Sequence, residues 1–173
     1  MKDAHDPIAS YEDALTRTDP ARIGTVAKGS PEEKAAVDRF IELFGNLTAE
    51  TVRAKAKSVY APDAYFNDTL KTLIGAETIE AHLVRSAEAA EQITVDVVDV
   101  AEASGNYYLR WVMDVRFKSL KKGQVVRSIG VSHIRFNQAG QVVLHQDYWD
   151  AASGLFEHIP VLGWVLSSIK NRL

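Results

Sequence analysis

Val142-Val143-Leu144-His145-Gln146-Asp147-Tyr148-Trp149-Asp150 is the stretch around which the rest of the chain is read. Three aliphatic residues followed by alternating side chains and two aromatics have the period of a β-strand. Alternation places Val143, His145, Asp147 and Trp149 on one face. That face mixes a histidine and a carboxylate with a bulky indole. Carboxylates are seldom buried without a partner. The strand is therefore either a bridge in a polar network or the wall of a pocket.

Working back from it, three more segments have the same period. Gln92 to Ala103 is rich in β-branched residues, Tyr107 to Leu120 is long, and Gln124 to Phe136 follows. Ser104-Gly105-Asn106, Lys121-Lys122-Gly123 and Asn137-Gln138-Ala139-Gly140 are the turns between them. Four strands on short turns predict an antiparallel meander. Upstream the period is helical. Ser30 is suited to cap a helix that opens on Pro31-Glu32-Glu33 and carries Val37, Phe40, Ile41 and Phe44 at helical spacing. Thr48 caps a second helix, with Val52, Ala56, Val59 and Tyr60 on its buried side. Ala61-Pro62-Asp63 reads as a stop and turn, Ala64 to Asp68 as a short strand, and the run to Gly75 as a loop. A third helix is predicted from about Ala76 to Ala90. Helices on one side of an antiparallel sheet give an α+β fold.

The flanks are weaker. Residues 1–29 are expected to form an N-terminal arm, partly ordered at best, with a short helix between Pro7 and Thr16. Residues 153–173 return to a helical pattern ending in Lys170 and Arg172. This extra C-terminal helix is expected to cover a pocket mouth or a dimer contact. Lying on a membrane surface is the less favoured reading, because it offers only two cations.

Composition narrows the function classes. A chain of 173 residues with 46% hydrophobic and 25% charged residues suits one globular domain. A net charge of −3 supplies no basic footprint for nucleic acid. The absence of cysteine removes disulfides, thiolate nucleophiles and zinc–thiolate sites. No segment reads as a signal peptide or reaches the roughly 18 apolar residues of a membrane span, so a cytoplasmic location is expected. His5, His82, His133 and His158 show no metal-ligand spacing, and no metal or organic cofactor is expected.

Tyr65-Phe66-Asn67-Asp68 followed by Leu73-Ile74-Gly75, and the ending His145-Gln146-Asp147-Tyr148-Trp149-Asp150, resemble the nuclear transport factor 2-like superfamily and its SnoaL-like members. The resemblance covers about residues 32–152. It implies a cone-shaped, cystatin-like α+β fold over residues 30–152. Three helices would pack against a curved sheet, with a pocket between them, and a homodimer is expected. Limonene epoxide hydrolases, ketosteroid isomerases and polyketide cyclases share that fold. The hydrolase pattern implies Tyr65 and Asn67 on the first strand, Asp114 on a middle strand and Asp147 on the last. Its bridging arginine falls on Val112 here, and Arg110 or Arg116 on the same parity would have to substitute. The isomerase pattern implies Asp68 as a base. The cyclase pattern implies Asp147, with His145 beside it.

The residues themselves leave two readings open. If the Asp147 face lines a hollow, burial beside Trp149 disfavours a bare charge, and such a carboxyl can exchange protons near neutral pH. Otherwise Asp147 pairs with Arg127, Arg135, Arg110 or Arg116. Asp114 is likewise a second acid or one half of a cross-strand ion pair. Tyr65 and Asn67 hold a water or substrate oxygen, or are a core tyrosine and a turn asparagine. Asp68, Trp149, Arg110 and Arg116 are the expected ligand contacts. The functional expectation is acid–base catalysis on a small apolar molecule, of epoxide hydrolase or isomerase type. The alternatives are a non-catalytic binder of an apolar ligand and a dimeric interaction domain.

Overall fold

A computed structural model of the chain describes residues 6–119, 123–159, 164 and 168. The helices begin where the local chemistry starts them. Helix α3 (Pro31–Gly45) is capped by Ser30, whose hydroxyl accepts the Glu33 N–H at 3.0 Å. Helix α4 (Ala49–Val59) is capped in the same way by Thr48, which accepts from Thr51 at 3.0 Å. Helix α5 (Ala76–Ala89) starts on Gly75, whose φ of 93° favours glycine and whose Cβ position would lie 3.2 Å from the Pro62 carbonyl. Ahead of them lie α1 (Pro7–Arg17) and α2 (Pro20–Ile23), capped by Asp6 and Asp19.

Strands β1 (Tyr60–Asn67), β2 (Thr72–Ile74), β3 (Ala90–Ala103), β4 (Asn106–Phe117), β5 (Val125–Phe136) and β6 (Val142–Trp149) form one sheet in the order β2-β1-β6-β5-β4-β3. The meander β3–β6 is antiparallel throughout, and β1 joins β6 in parallel. The segment predicted as a turn at Ala61-Pro62-Asp63 lies inside β1. There the β1–β6 register slips between Tyr60 and Tyr65, which accommodates a proline that cannot donate to the ladder. The predicted loop to Gly75 contains β2, hydrogen-bonded to β1.

Helices α3, α4 and α5 pack on the concave side of the sheet. Phe40, Leu43, Val52, Ile79 and Leu83 meet Tyr107, Leu109, Ile134 and Phe136 in one buried core. The architecture is the expected α+β cone. The N-terminal segment differs from expectation. Helix α1 docks on the convex side, where Ala14, Tyr65 and Leu144 form a second buried cluster beneath Tyr11 and Leu15. Arg135 fastens this helix by donating to the Leu15 carbonyl at 2.7 Å and the Thr18 hydroxyl at 3.2 Å. Cover on both faces explains why Val142-Val143-Leu144 is continuously apolar instead of alternating.

After β6 the chain forms α6 (Ala151–Gly154) and a 3₁₀ turn, Phe156–His158. The predicted C-terminal helix lies otherwise outside the described residues, as does the 120–122 turn. Among the described residues no helix is long and apolar enough to cross a membrane.

Candidate active site

The concave face and helices α3 and α5 enclose a cavity of about 290 Å³. Its walls are mainly aromatic and aliphatic, with Phe40 and Phe44 from α3, Phe66 from β1, and Trp111, Met113, Val115 and Phe117 from β4. Glycines make room for the indoles. A Cβ on Gly130 would come within 2.4 Å of Trp111 and 2.8 Å of Trp149, and one on Gly154 within 2.7 Å of Trp149. Polar groups enter this wall mainly from β6 and β5, as His145, Asp147 and Ser132, with Asp68 at the end of β1 and Ser86 on α5.

These groups form a hydrogen-bonded relay. The Tyr60 hydroxyl lies 2.7 Å from His145 Nδ1, and His145 Nε2 lies 2.8 Å from Asp147 Oδ1. Burial, with the Asp147 charge adding to it, pushes the Tyr60 phenol well above its ordinary range. The phenol therefore keeps its proton and donates to Nδ1. The imidazole proton then sits on Nε2 and is donated to Asp147. From the other side Trp111 Nε1 donates to Ser132 Oγ at 2.9 Å, and Ser132 donates to Asp147 Oδ1 at 2.5 Å. Both arms converge on a single oxygen. Among the described residues nothing donates to Asp147 Oδ2, on a side chain that lines the cavity and is 16% exposed. The outcome is an oriented acid with one oxygen left for a ligand.

Asp68 forms a second polar centre at the cavity. Its Oδ1 accepts backbone N–H bonds from Leu70 at 3.0 Å and Lys71 at 2.8 Å, and Oδ2 lies 2.6 Å from His82 Nε2 on α5. Burial pushes this carboxyl up, but the His82 and backbone hydrogen bonds outweigh it, and the net displacement is downward. Trp149 connects the two centres. It stands two residues beyond Asp147, and its Nε1 donates to the Asp68 carbonyl at 2.9 Å.

Of the residues singled out in the sequence, Asp147, His145, Trp149 and Asp68 line this cavity. The others do not. Tyr65 and Asn67 alternate with Phe66 and Asp68 and so point to the convex side. There Tyr65 donates to Gln146 Oε1 at 3.0 Å, and Asn67 bonds Thr72 and the Thr69 N–H. Asp114 is held on the convex face by a two-point contact from Arg127, at 2.8 and 2.7 Å. Arg110 pairs with Asp99, and Arg116 donates to the Gly123 carbonyl. Strand parity thus keeps Asp114 and Tyr65 away from Asp147, and Asn67 meets it only at a second hollow of about 400 Å³ beside Tyr11 and Tyr148. The signal was present in β4, where Trp111, Met113, Val115 and Phe117 are apolar and Arg110, Asp114 and Arg116 are charged. Ser132, Trp111, Tyr60 and His82 were not expected at the site. Ser132 is found only once the β5–β6 register sets it opposite Asp147. Among the described residues no group of three His, Asp or Glu side chains is placed to hold a metal ion.

A family model of the SnoaL-like domain matches residues 37–145. Solved structures share the fold at low identity. A protein from Catenulispora acidiphila with a ketosteroid isomerase-like fold, in complex with trimethylamine, superposes with a TM-score of 0.60 at 16% identity, covering 69% of this chain and 88% of its own. An epoxide hydrolase of the limonene epoxide hydrolase-like type from M. tuberculosis gives 0.60 at 14% identity, covering 83% and 96%. A protein from Shewanella putrefaciens described as a SnoaL-like polyketide cyclase gives 0.60 at 15%, covering 76% and 98%. No curated protein matches the chain.

Proposed function

The chain belongs to the SnoaL-like domain family, and from that premise we propose that it is an acid–base enzyme acting on a small apolar molecule held in the cone. Asp147 is the proton acceptor. The observation that carries this reading is the asymmetry of its carboxyl group: Oδ1 is fixed by His145 and Ser132, while no described residue donates to Oδ2, and the residue lines an apolar cavity. A base must be within reach of the proton it removes and held in orientation before the substrate arrives. Here the orientation comes from both arms of the relay. Tyr60 sets the tautomer of His145, as a second group commonly does for a working imidazole.

The reaction type this supports is transfer of a proton at an activated carbon of an apolar substrate. The carbon–hydrogen bond breaks, Asp147 takes the proton, and the resulting acid returns it to the same or a neighbouring carbon. Water addition to an epoxide has less support. Its pattern needs Asp114 and Tyr65 at the same cavity, and these face the other side of the sheet.

The test is deuterium exchange. Wild-type protein is incubated in heavy water with a panel of apolar ketones, and uptake into recovered ketone is followed by mass spectrometry. Exchange above the buffer rate that disappears in Asp147→Asn is the expected outcome. Equal exchange by both proteins would remove Asp147 from the role. No exchange with any ketone, alongside measurable ketone binding, would leave a binder and not a catalyst.

A further inference from the structure

We infer that the molecule taken by the cavity is an apolar amine, bound protonated, with its nitrogen against the Trp149 indole on the Asp68 side and its activated carbon at Asp147. This rests on the reading of the cavity as the small-molecule site and adds the charge of the molecule. Three observations carry it. First, the ionisable side chains on the cavity wall are Asp68, His145 and Asp147; among the described residues no lysine or arginine lines it. Lys118, next in sequence to the lining residue Phe117, turns its Nζ to the Glu88 carbonyl, and Lys71 is exposed. Second, both acidic residues adjoin one indole. Trp149 follows Asp147 on the same face and is tied through Nε1 to the Asp68 backbone. Third, Gly130 and Gly154 are spaces that a Cβ would close against that indole, so its position is built into the sheet and the turn after it.

The physical consequence is selection by charge. A cation beside an indole gains from the ring quadrupole, and more so where water is excluded. Acids in a cavity of low polarity attract it further and repel an anion. Asp68 is kept charged at neutral pH by the hydrogen bonds that hold its carboxyl below the usual range. Asp147 Oδ2 offers an acceptor that no described residue uses. A ligand ending in a carboxylate or phosphate would meet the acids with no lysine or arginine among the described lining residues to offset them.

The experiment is a matched series at neutral pH, measured by calorimetry on the full chain: phenethylamine, phenethyl alcohol and phenylacetate. The amine is expected to bind about tenfold more tightly than the alcohol, and phenylacetate more weakly than either. Asp147→Asn and Asp68→Asn should each shrink the amine preference several-fold. Each should weaken the amine by more than it weakens the alcohol, and an unchanged melting temperature and circular dichroism spectrum report that the fold is intact in each variant. Asp114→Asn, on the other face, should alter none of the three. Phenylacetate binding as tightly as the amine, or an amine preference that survives both cavity variants, overturns the inference. If the alcohol binds and the amine has no advantage, only the charge assignment fails. If none of the three binds, the small-molecule reading fails first and takes this one with it.

Discussion

The two faces of the sheet carry relays of the same design. On the concave face Tyr60 meets His145, and His145 meets Asp147, whose Oδ1 also accepts from Ser132. On the convex face Tyr11 meets His133 at 2.9 Å, and His133 meets Asn106 at 2.9 Å, whose Oδ1 also accepts from Arg135. Each has a phenol, an imidazole and an oxygen receiving two donors. They differ in what ends the relay and in what lies beyond it. The inner one ends in a carboxylate residue that lines a cavity. The outer one ends in an amide, with α1 fastened over it by Arg135. A histidine between two hydrogen-bonding partners is thus no sign of catalysis in itself. The terminal group and the space beside it distinguish the proposed site from the fastening.

The strongest way to break the contrast is Asp147→Asn, which makes the inner relay end as the outer one does. We expect deuterium exchange to fall by about 10²–10⁴-fold, the usual contribution of a general base, with little change in melting temperature. Exchange that survives would make the two relays equivalent.

The next largest effect belongs to the outer relay. Burial, with Arg135 nearby, pushes the His133 imidazole down to about 4. A histidine with a depressed folded value stabilises the fold above its unfolded value. That contribution is lost as pH falls from about 6.5 towards 4, since the unfolded chain then binds more protons. We expect a loss on the order of 3 kcal/mol across this window. In His133→Gln the slope should be absent, whatever the stability at neutral pH. Urea midpoints measured against pH decide it, and an unchanged slope in the variant would assign the effect elsewhere.

Removing the phenols sharpens the comparison further. Tyr60→Phe leaves a buried His145 Nδ1 without its donor, at a cost of about 1–3 kcal/mol, and should lower the exchange rate as the imidazole loses its fixed tautomer. Tyr11→Phe removes a half-buried hydroxyl and should leave exchange unchanged. A smaller effect is expected at Asp68. Its folded value is depressed, so its contribution is present above about pH 4 and lost as pH falls below that. Asp68→Asn should flatten the acid limb of the stability curve. The smallest belongs to Asp114→Asn, which breaks an exposed-face ion pair and should change neither exchange nor, by much, stability. A marked loss of exchange there would return Asp114 to the chemistry.

Parts of the site were legible in the sequence. The alternation of β6 named His145, Asp147 and Trp149 together, and the structure puts all three on the cavity. Asp114 lies on the charged parity of β4, opposite the apolar residues that face the cavity, and motif spacing carries no information about which face a strand residue takes. Tyr65 and Asn67 fell one residue out of phase with the cavity for the same reason. Ser132 and His82 had no local signal, because a serine in a strand and a histidine in a helix look like many others.

By itself the sequence determined the helix starts at Ser30 and Thr48, the meander and the α+β class. Caps, turns and hydrophobic period act over a few residues, and the chain carries them wherever it goes. Only the tertiary structure decided that Tyr60 would reach His145 across 85 positions, that Ser132 would stand opposite Asp147, and that α1 would cover one histidine while a cavity opened before another. Register and docking are fixed by the sum of many distant contacts, none of which any single stretch of the chain contains.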